Sequence, residues 1–412
     1  MSVRWIKFEK VKVVLTSEYW LLFSLSGVFL CFFARGVGAN FFLNLTGIFL
    51  IIELLLGNYR IKQIPRWYLA VAAICAYLVI ASLLNPYAYS KLRYIKGLVR
   101  MVIVVFAMHC LSQKDAEDRI TFLFGGVLVV SVCWQFAVRN LLNMPYGTYN
   151  NPHKLASLAA LALPLIVYFF LVTRKWYKYI FLPIGILDVY LLLQLGSLPS
   201  YLAILFATLF LFFFLTKGWN KWLGIILVLA ILTTLYVADD PISTDYTGAA
   251  ISFKELVLDL SKEERIQFWK DAWKMQKDNA LFAWVAGNGI GSGRVAFPKY
   301  LSPQVRGYVF PHSYFLEILY ENGIIGFGLI FGGLGFLISA AIIKTKNMVD
   351  KRISILLKCM ITLFLIWFIH CGLTFPFYSN YSLIPLAFIL GTLLVMVGRM
   401  PRDEVLQHNN RG

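Results

Sequence analysis

The sequence predicts an all-α polytopic membrane protein with about 12 transmembrane helices and one large outer loop, and three observations carry that prediction. The 412 residues are 59% hydrophobic and only 14% charged, and the mean hydropathy is +0.72. Soluble domains carry about a quarter charged residues, so this composition excludes a soluble enzyme, and equally a disordered or collagenous chain. Apolar stretches near the length a bilayer demands, about 20 residues, recur along the whole chain. A single long polar segment, 239–322, breaks their rhythm.

In order, the spans fall near 19–34, 41–57, 67–84, 98–111, 120–138, 155–173, 180–195, 201–216, 222–238, 323–343, 353–373 and 383–398. Only Gly196-Ser-Leu-Pro-Ser200 divides 180–195 from 201–216. Arg4, Lys7, Lys10 and Lys12 precede the first span, and the apolar segments after it mark a retained anchor rather than a cleaved signal. Orientation follows from Lys and Arg. With the N-terminus inside, most loop cations fall on the cytoplasmic side, among them Arg60, Lys62, Arg66, Arg174, Lys175, Lys178, Lys344, Lys346, Lys351 and Arg352. Both termini are then cytoplasmic and the polar segment lies outside. The chain divides into an N-terminal membrane region 1–238, a large outer loop 239–322, a C-terminal membrane region 323–398 and a cytoplasmic tail 399–412.

The net charge of +17 would point to nucleic acid in a soluble protein. Here residues 239–322 hold slightly more acidic than basic residues, so the excess belongs to the membrane regions and is the positive-inside signature. The expected partner is a lipid bilayer and not nucleic acid. The six cysteines (Cys31, Cys75, Cys110, Cys133, Cys359 and Cys371) are scattered through apolar stretches, with no C-x-x-C and no zinc spacing. Neither a disulfide framework nor a metal site is expected.

The outer loop carries three ordered elements. Ser261-Lys-Glu-Glu264 has the capping-box pattern and predicts a helix through about Lys277. Ile266, Trp269 and Trp273 share one face of it, flanked by Lys270, Lys274 and Lys277, which suits either a helix in the headgroup plane or one packed on the loop. Arg265 stands in its first turn. Gly287-Asn-Gly-Ile-Gly-Ser-Gly293 follows, a run that either offers backbone N–H groups to an anion or makes a tight turn. The third element, Pro311–Gly326, runs into a span with Gly328 and Gly332 in G-x-x-x-G spacing, which predicts close helix packing. It places His312 at the membrane boundary. An imidazole there can take a proton from an attacking hydroxyl, or can simply start a helix by bonding to backbone.

These three elements, in this order, resemble the O-antigen ligase and polymerase superfamily of polytopic membrane glycosyltransferases. Family patterns of the type R…W…A, G-x-G-x-G and H-[NS]-x-[YF]-L-E…E-x-G-[IL]-[IL]-G match Arg265–Trp269–Ala272, Gly287–Gly293 and His312–Gly326. Asn151-Pro152-His153-Lys154-Leu155-Ala156 looks like the family's N-P-N…A segment, and the specific resemblance covers roughly 150–335. Two departures stand out: His153 replaces the usual second Asn, and Gly196–Ser200 lacks the arginine of a Ser-Arg-Gly step. The resemblance implies a GT-C-like fold in a bacterial cytoplasmic (inner) membrane, without cofactor or metal. It implies sugar chains on polyprenyl pyrophosphate as substrates at the outer leaflet, with a flippase and a chain-length regulator as pathway partners. Arg265 would clamp the pyrophosphate and His312 act as base, with Lys154 and Glu317 binding substrate. A polymerase of lipid-linked repeat units is the favoured reading and a ligase its alternative. A transporter is the rival of another class, but the matched broken helices it would show in two halves are not evident.

A second basic site follows from the residues themselves. Lys91, Arg93, Lys96 and Arg100 lie outside by this topology, against the charge bias. The spacing of Arg93, Lys96 and Arg100 predicts one helical stripe that holds the lipid pyrophosphate, unless a miscounted helix leaves the segment in the cytoplasm. Among polar residues inside spans, Asp188 is mid-span. Glu53 and Lys358 are expected to snorkel at inner ends. His370 either packs in the core or lines a cavity, while His109 and His408 fall on the inner side.

Overall fold

The structure, a computed structural model, describes residues 18–34, 38–57, 66–83, 91–112, 117–144, 151–173, 176–215, 220–238, 241–244, 250–259, 263–303 and 309–398. Among the described residues, nine α-helices precede the polar segment: α1 (Glu18–Ala34), α2 (Ala39–Leu55), α3 (Arg66–Leu83), α4 (Lys91–Ser112), α5 (Glu117–Leu141), α6 (Pro152–Val172), α7 (Phe181–Leu195), α8 (Leu198–Leu215) and α9 (Asn220–Ala238). The segment itself holds an antiparallel pair, β1 (Pro241–Thr244) and β2 (Ala250–Ser252), then α10 (Phe253–Leu258), α11 (Glu264–Lys277), α12 (Leu281–Ala286) and α13 (Ser292–Ala296). Three helices close the fold: α14 (Tyr314–Asn347), α15 (Lys351–Gly372) and α16 (Asn380–Gly398). The two short strands are the one exception to the all-α expectation among the described residues.

A helix underlies every predicted span. Among the described residues, five stretches are long and apolar enough to cross a membrane: Pro152–Val172, Trp176–Leu195, Tyr314–Asn347, Lys351–Gly372 and Tyr381–Gly398. The chain is a membrane protein. α6, α15 and α16 are the most enclosed of these, because they carry small or apolar side chains around much of their circumference. α7 exposes Ile186, Val189, Tyr190 and Leu193 at the rim. α15 packs against α6, α8, α14 and α16, and α4 lies along α16.

Several boundaries depart from expectation for identifiable reasons. α4 starts at Lys91, so the basic stripe is helical from its first turn. α8 starts at Leu198 because the left-handed Gly196 (φ 53) ends α7 and Pro199 suits a first turn. α11 opens at Glu264 with Glu263 in the capping place, and Ser261 lies outside the described residues. A complete capping box occurs instead at Ser252–Glu255, where α10 begins. Glu53 is buried rather than snorkelling, at 3% exposure. Gly328 and Gly332 do not pack closely, since a Cβ at either would meet nothing within 4 Å. The close approaches lie beside them. A Cβ at Gly333 would come 3.3 Å from Ile74, and one at Gly326 would come 3.4 Å from Tyr77, both on α3.

One crossing joins the polar segment to the membrane helices. α14 breaks at Gly323 (φ 62, ψ −172), which frees the carbonyls of the preceding turn. Asn288 N–H donates to Tyr320 O at 3.0 Å, and Gly289 N–H donates to Glu321 O at 2.7 Å. The two backbones come so close that a Cβ on Gly323 would sit 2.4 Å from Val285 O. One on Gly287 would sit 2.3 Å from Glu321 O. Both positions also have positive φ, so glycine is required twice over.

Candidate active site

Arg265 and His312 are brought together by α11. Its buried face, Phe268, Ala272 and Met275, packs on Phe297 and Tyr320 in a small aromatic core of its own. Burial of that face turns Arg265 inward, to 5% exposure, where it pairs with Glu263. Asp271 pins the chain opposite by accepting from Ser302 N–H (2.9 Å) and from the Ser302 hydroxyl (2.8 Å). The predicted Trp face is divided: Trp269 packs on that core, while Trp273 is 42% exposed and meets Trp284 edge-on at 6.0 Å. α11 is therefore a packed helix with an aromatic outer face.

His312 is not the first residue of a helix. Ser313 caps α14, its hydroxyl accepting from Leu316 N–H, and His312 stands just before it with φ 49. Its ring stacks on Phe310 (4.3 Å) and Phe268 (5.2 Å), and its carbonyl accepts from Trp269 Nε1 at 3.5 Å. Burial, then the Arg265 charge, then His153 push the imidazole down to about 3. It is neutral at physiological pH.

A second polar group comes from three distant segments. The Asn151 side chain caps α6 by accepting from His153 N–H at 2.8 Å, with Pro152 as the first helical residue. His153 thereby projects from the head of α6 toward the α7–α8 turn, where Nδ1 is 3.4 Å from Ser197 Oγ. Ser197 and Ser200 hydroxyls are 3.2 Å apart, and Ser200 Oγ is 3.0 Å from His370 Nδ1 at the end of α15. His370 Nε2 returns to the His153 carbonyl at 3.3 Å. The Arg265 charge acts on both His153 and His312, so this group lies within the electrostatic reach of the first. Lys154 lies beside it, its ammonium 4.5 Å from the centre of the Tyr381 ring.

The carboxylates of the third motif serve the scaffold. Glu317 Oε2 accepts from Phe377 N–H at 2.7 Å, and Glu321 Oε1 accepts from Gly293 N–H at 3.1 Å. Both side chains are buried. The glycine run spends the N–H groups of Asn288, Gly289 and Gly293 on α14, so it is a docking turn and not an anion cradle. Asn322 Nδ2 donates to the Tyr378 hydroxyl at 2.6 Å, and burial foremost holds that phenol well above its ordinary pKa.

Of the sequence-predicted residues, Arg265 and His312 lie on and against α11, Lys154 neighbours His153 at the head of α6, and Glu317 is tied to Phe377 N–H instead. The basic stripe is separate. Lys96 is exposed and Arg100 half-buried on α4, and the Arg93 side chain lies outside the described residues. Beside the stripe, Leu98 and Met101 line an apolar cavity of about 220 Å³ with Cys75, Ile330, Leu334 and Phe377. Asp188 is fully buried near Cys133, with neither oxygen hydrogen-bonded among the described residues. Sequence reasoning missed Ser197, Ser200 and His370 as members of the second group. The available signal was that both departures, at His153 and at Gly196–Ser200, head spans that begin on one side of the membrane.

The O-antigen ligase family matches residues 153–331, from His153 through Arg265 and His312 to Phe331. No curated protein matches the chain.

Proposed function

From the membership of residues 153–331 in the O-antigen ligase family, we propose that the chain is a membrane glycosyltransferase. It polymerises oligosaccharide repeat units carried on polyprenyl pyrophosphate, at the outer face of the bacterial cytoplasmic membrane. The observation that carries this reading is the neutral, sandwiched His312 within the field of the buried Arg265. A sugar diphosphate already has a good leaving group, so the protein must neutralise developing phosphate charge and accept the proton of the attacking hydroxyl. Arg265 does the first and His312 the second. A diphosphate placed beside Arg265 offsets the part of the lowering that the Arg265 charge adds to burial, which raises the basicity of His312. Lys154 adds a cation at the rim. The stripe at Arg93, Lys96 and Arg100, beside an apolar cavity, suits the head of a second lipid-linked substrate, which a polymerase requires.

The family's description favours a second reading, transfer of the same donor chain to a lipid A core or protein. His312→Ala in the native host, with gel analysis of surface polysaccharide, separates them. Single repeat units on their anchor are expected for a polymerase, and full chains left on polyprenyl for a ligase. An unchanged ladder discards His312 as base.

A further inference from the structure

Below Gly323, Ile325, Leu329 and Phe336 recur at helical spacing on an exposed face of α14, and Gly328 and Gly332 on the same side face open space. On a helix that crosses a membrane, a face so apolar and so bare is the side turned to lipid. The same kind of surface continues above the break. α12 has no buried residue, and it presents Leu281 at 81% and Phe282 at 78% exposure, with Val285 one turn further on. Its level is fixed by the crossing, where Val285 O would lie 2.4 Å from a Cβ on Gly323. Six helical residues span about 9 Å, so Leu281 and Phe282 stay near the height of the break. From Ile324 to Asn347 α14 extends about 36 Å against about 30 Å of hydrocarbon, which leaves the break among the headgroups. α11 lies alongside, Trp273 against Trp284 of α12. Next to Trp273, the exposed Lys270, Lys274 and Lys277 form one cationic row at spacings of four and three.

We infer that α12 is a membrane anchor: Leu281 and Phe282 enter the leaflet beside the break in α14, and Lys270, Lys274 and Lys277 meet the phosphates of anionic phospholipids. Trp273 and Trp284 lie at headgroup level, where an indole has its apolar body in the leaflet and its N–H in water. Two features make lipid the occupant rather than another protein. The patch continues the lipid-facing side of α14 at the level where that helix leaves the hydrocarbon. Its cationic flank complements anionic headgroups, with the long lysine stems reaching along the apolar surface. Six residues could not hold this pose alone, and the backbone crossing at Gly323 holds it for them. In return the anchor sets the height of α11, which carries Arg265 and whose Phe268 stacks on His312. This needs only that α14 cross the membrane, whatever reaction the protein performs.

The test uses the full chain in nanodiscs of phosphatidylethanolamine and phosphatidylglycerol, in a background without other accessible cysteines. Leu281→Cys and Phe282→Cys each carry a nitroxide, and its collisions with oxygen, which concentrates in lipid, and with a water-soluble nickel chelate are measured. Phe336→Cys on the lipid face of α14 and Val349→Cys in the polar turn after it give the two reference values. Nickel collisions severalfold below those at Val349→Cys, with oxygen collisions above them, are expected at both positions. Nickel access equal to that at Val349→Cys would place the patch in water and overturn the anchor. Shielding from both reagents would also overturn it, since a second copy of this chain or another protein would then cover the patch. Joint Lys274→Glu and Lys277→Glu substitution should move the Phe282→Cys label toward water, and by less when phosphatidylcholine replaces the anionic lipid. An equal shift in both lipids would remove the lysines from the anchor. Both labelled side chains are exposed, so neither variant depends on repacking, and each decides by itself.

Discussion

At the scale of single residues, His312 combines a conformation that costs a non-glycine residue on the order of 1 kcal/mol with a ring the fold keeps uncharged. The second property has a thermodynamic signature. Histidine ordinarily titrates near 6.5 and His312 is pushed down to about 3, so below 6.5 the unfolded chain binds a proton that the folded chain refuses. Stability from this group is therefore complete above that pH and declines as pH falls. The thermal unfolding midpoint should drop between pH 7.5 and pH 5, and drop less in His312→Phe, which keeps the stack and has nothing to titrate. Equal drops would remove His312 as the cause. Arg265→Lys keeps the charge but loses the planar fork, and should lower donor turnover about tenfold or more. Arg265 and His312 were legible in the sequence because each sits in a local pattern. His370 was not, since its partners lie 170 and 217 residues away and no periodicity reports so distant a bond.

At the scale of elements, hydropathy located a helix at each expected span, five of them long and apolar enough to cross a membrane, because a bilayer imposes a length and a composition on each helix independently of its neighbours. What the pattern could not show was how α14 breaks. The glycines with the clearest motif spacing, Gly328 and Gly332, face open space, while Gly323 and Gly287 hold the backbone crossing. Gly323→Ala and Gly287→Ala should therefore loosen the docked segment by more than about 1 kcal/mol, seen as faster protease cutting within 263–303 with the membrane helices intact. Gly328→Ala should leave that rate unchanged. The misplaced capping box has a similar origin. Ser252-Phe-Lys-Glu255 has the same spacing as Ser261–Glu264, but it opens a six-residue helix too short to display a helical period.

At the scale of the whole molecule, topology remains the premise on which both cation sites depend. A Ser90→Cys variant, in a background without other accessible cysteines, should react with a membrane-impermeant maleimide in intact cells. Reaction only after permeabilisation would place the stripe in the cytoplasm and remove it as a phosphate site. The division of the chain at 322/323, read from polarity, coincides with the break in α14, but the helix runs on in both directions. Below the Gly323 break, the stretch from Ile324 to Asn347 extends about 36 Å at the usual rise, slightly beyond a hydrocarbon core of about 30 Å. The lower helix is thus long enough to span the hydrocarbon, and the upper one, joined to it at the break, begins two residues from His312. On the proposed function, the height of the imidazole above the acyl chains is set by how deeply α14 is seated, while a lipid diphosphate would ride at a height set by the lipid itself. Membrane thickness becomes a reaction coordinate for this protein, and turnover should peak in vesicles of one acyl-chain length and fall in both thinner and thicker ones.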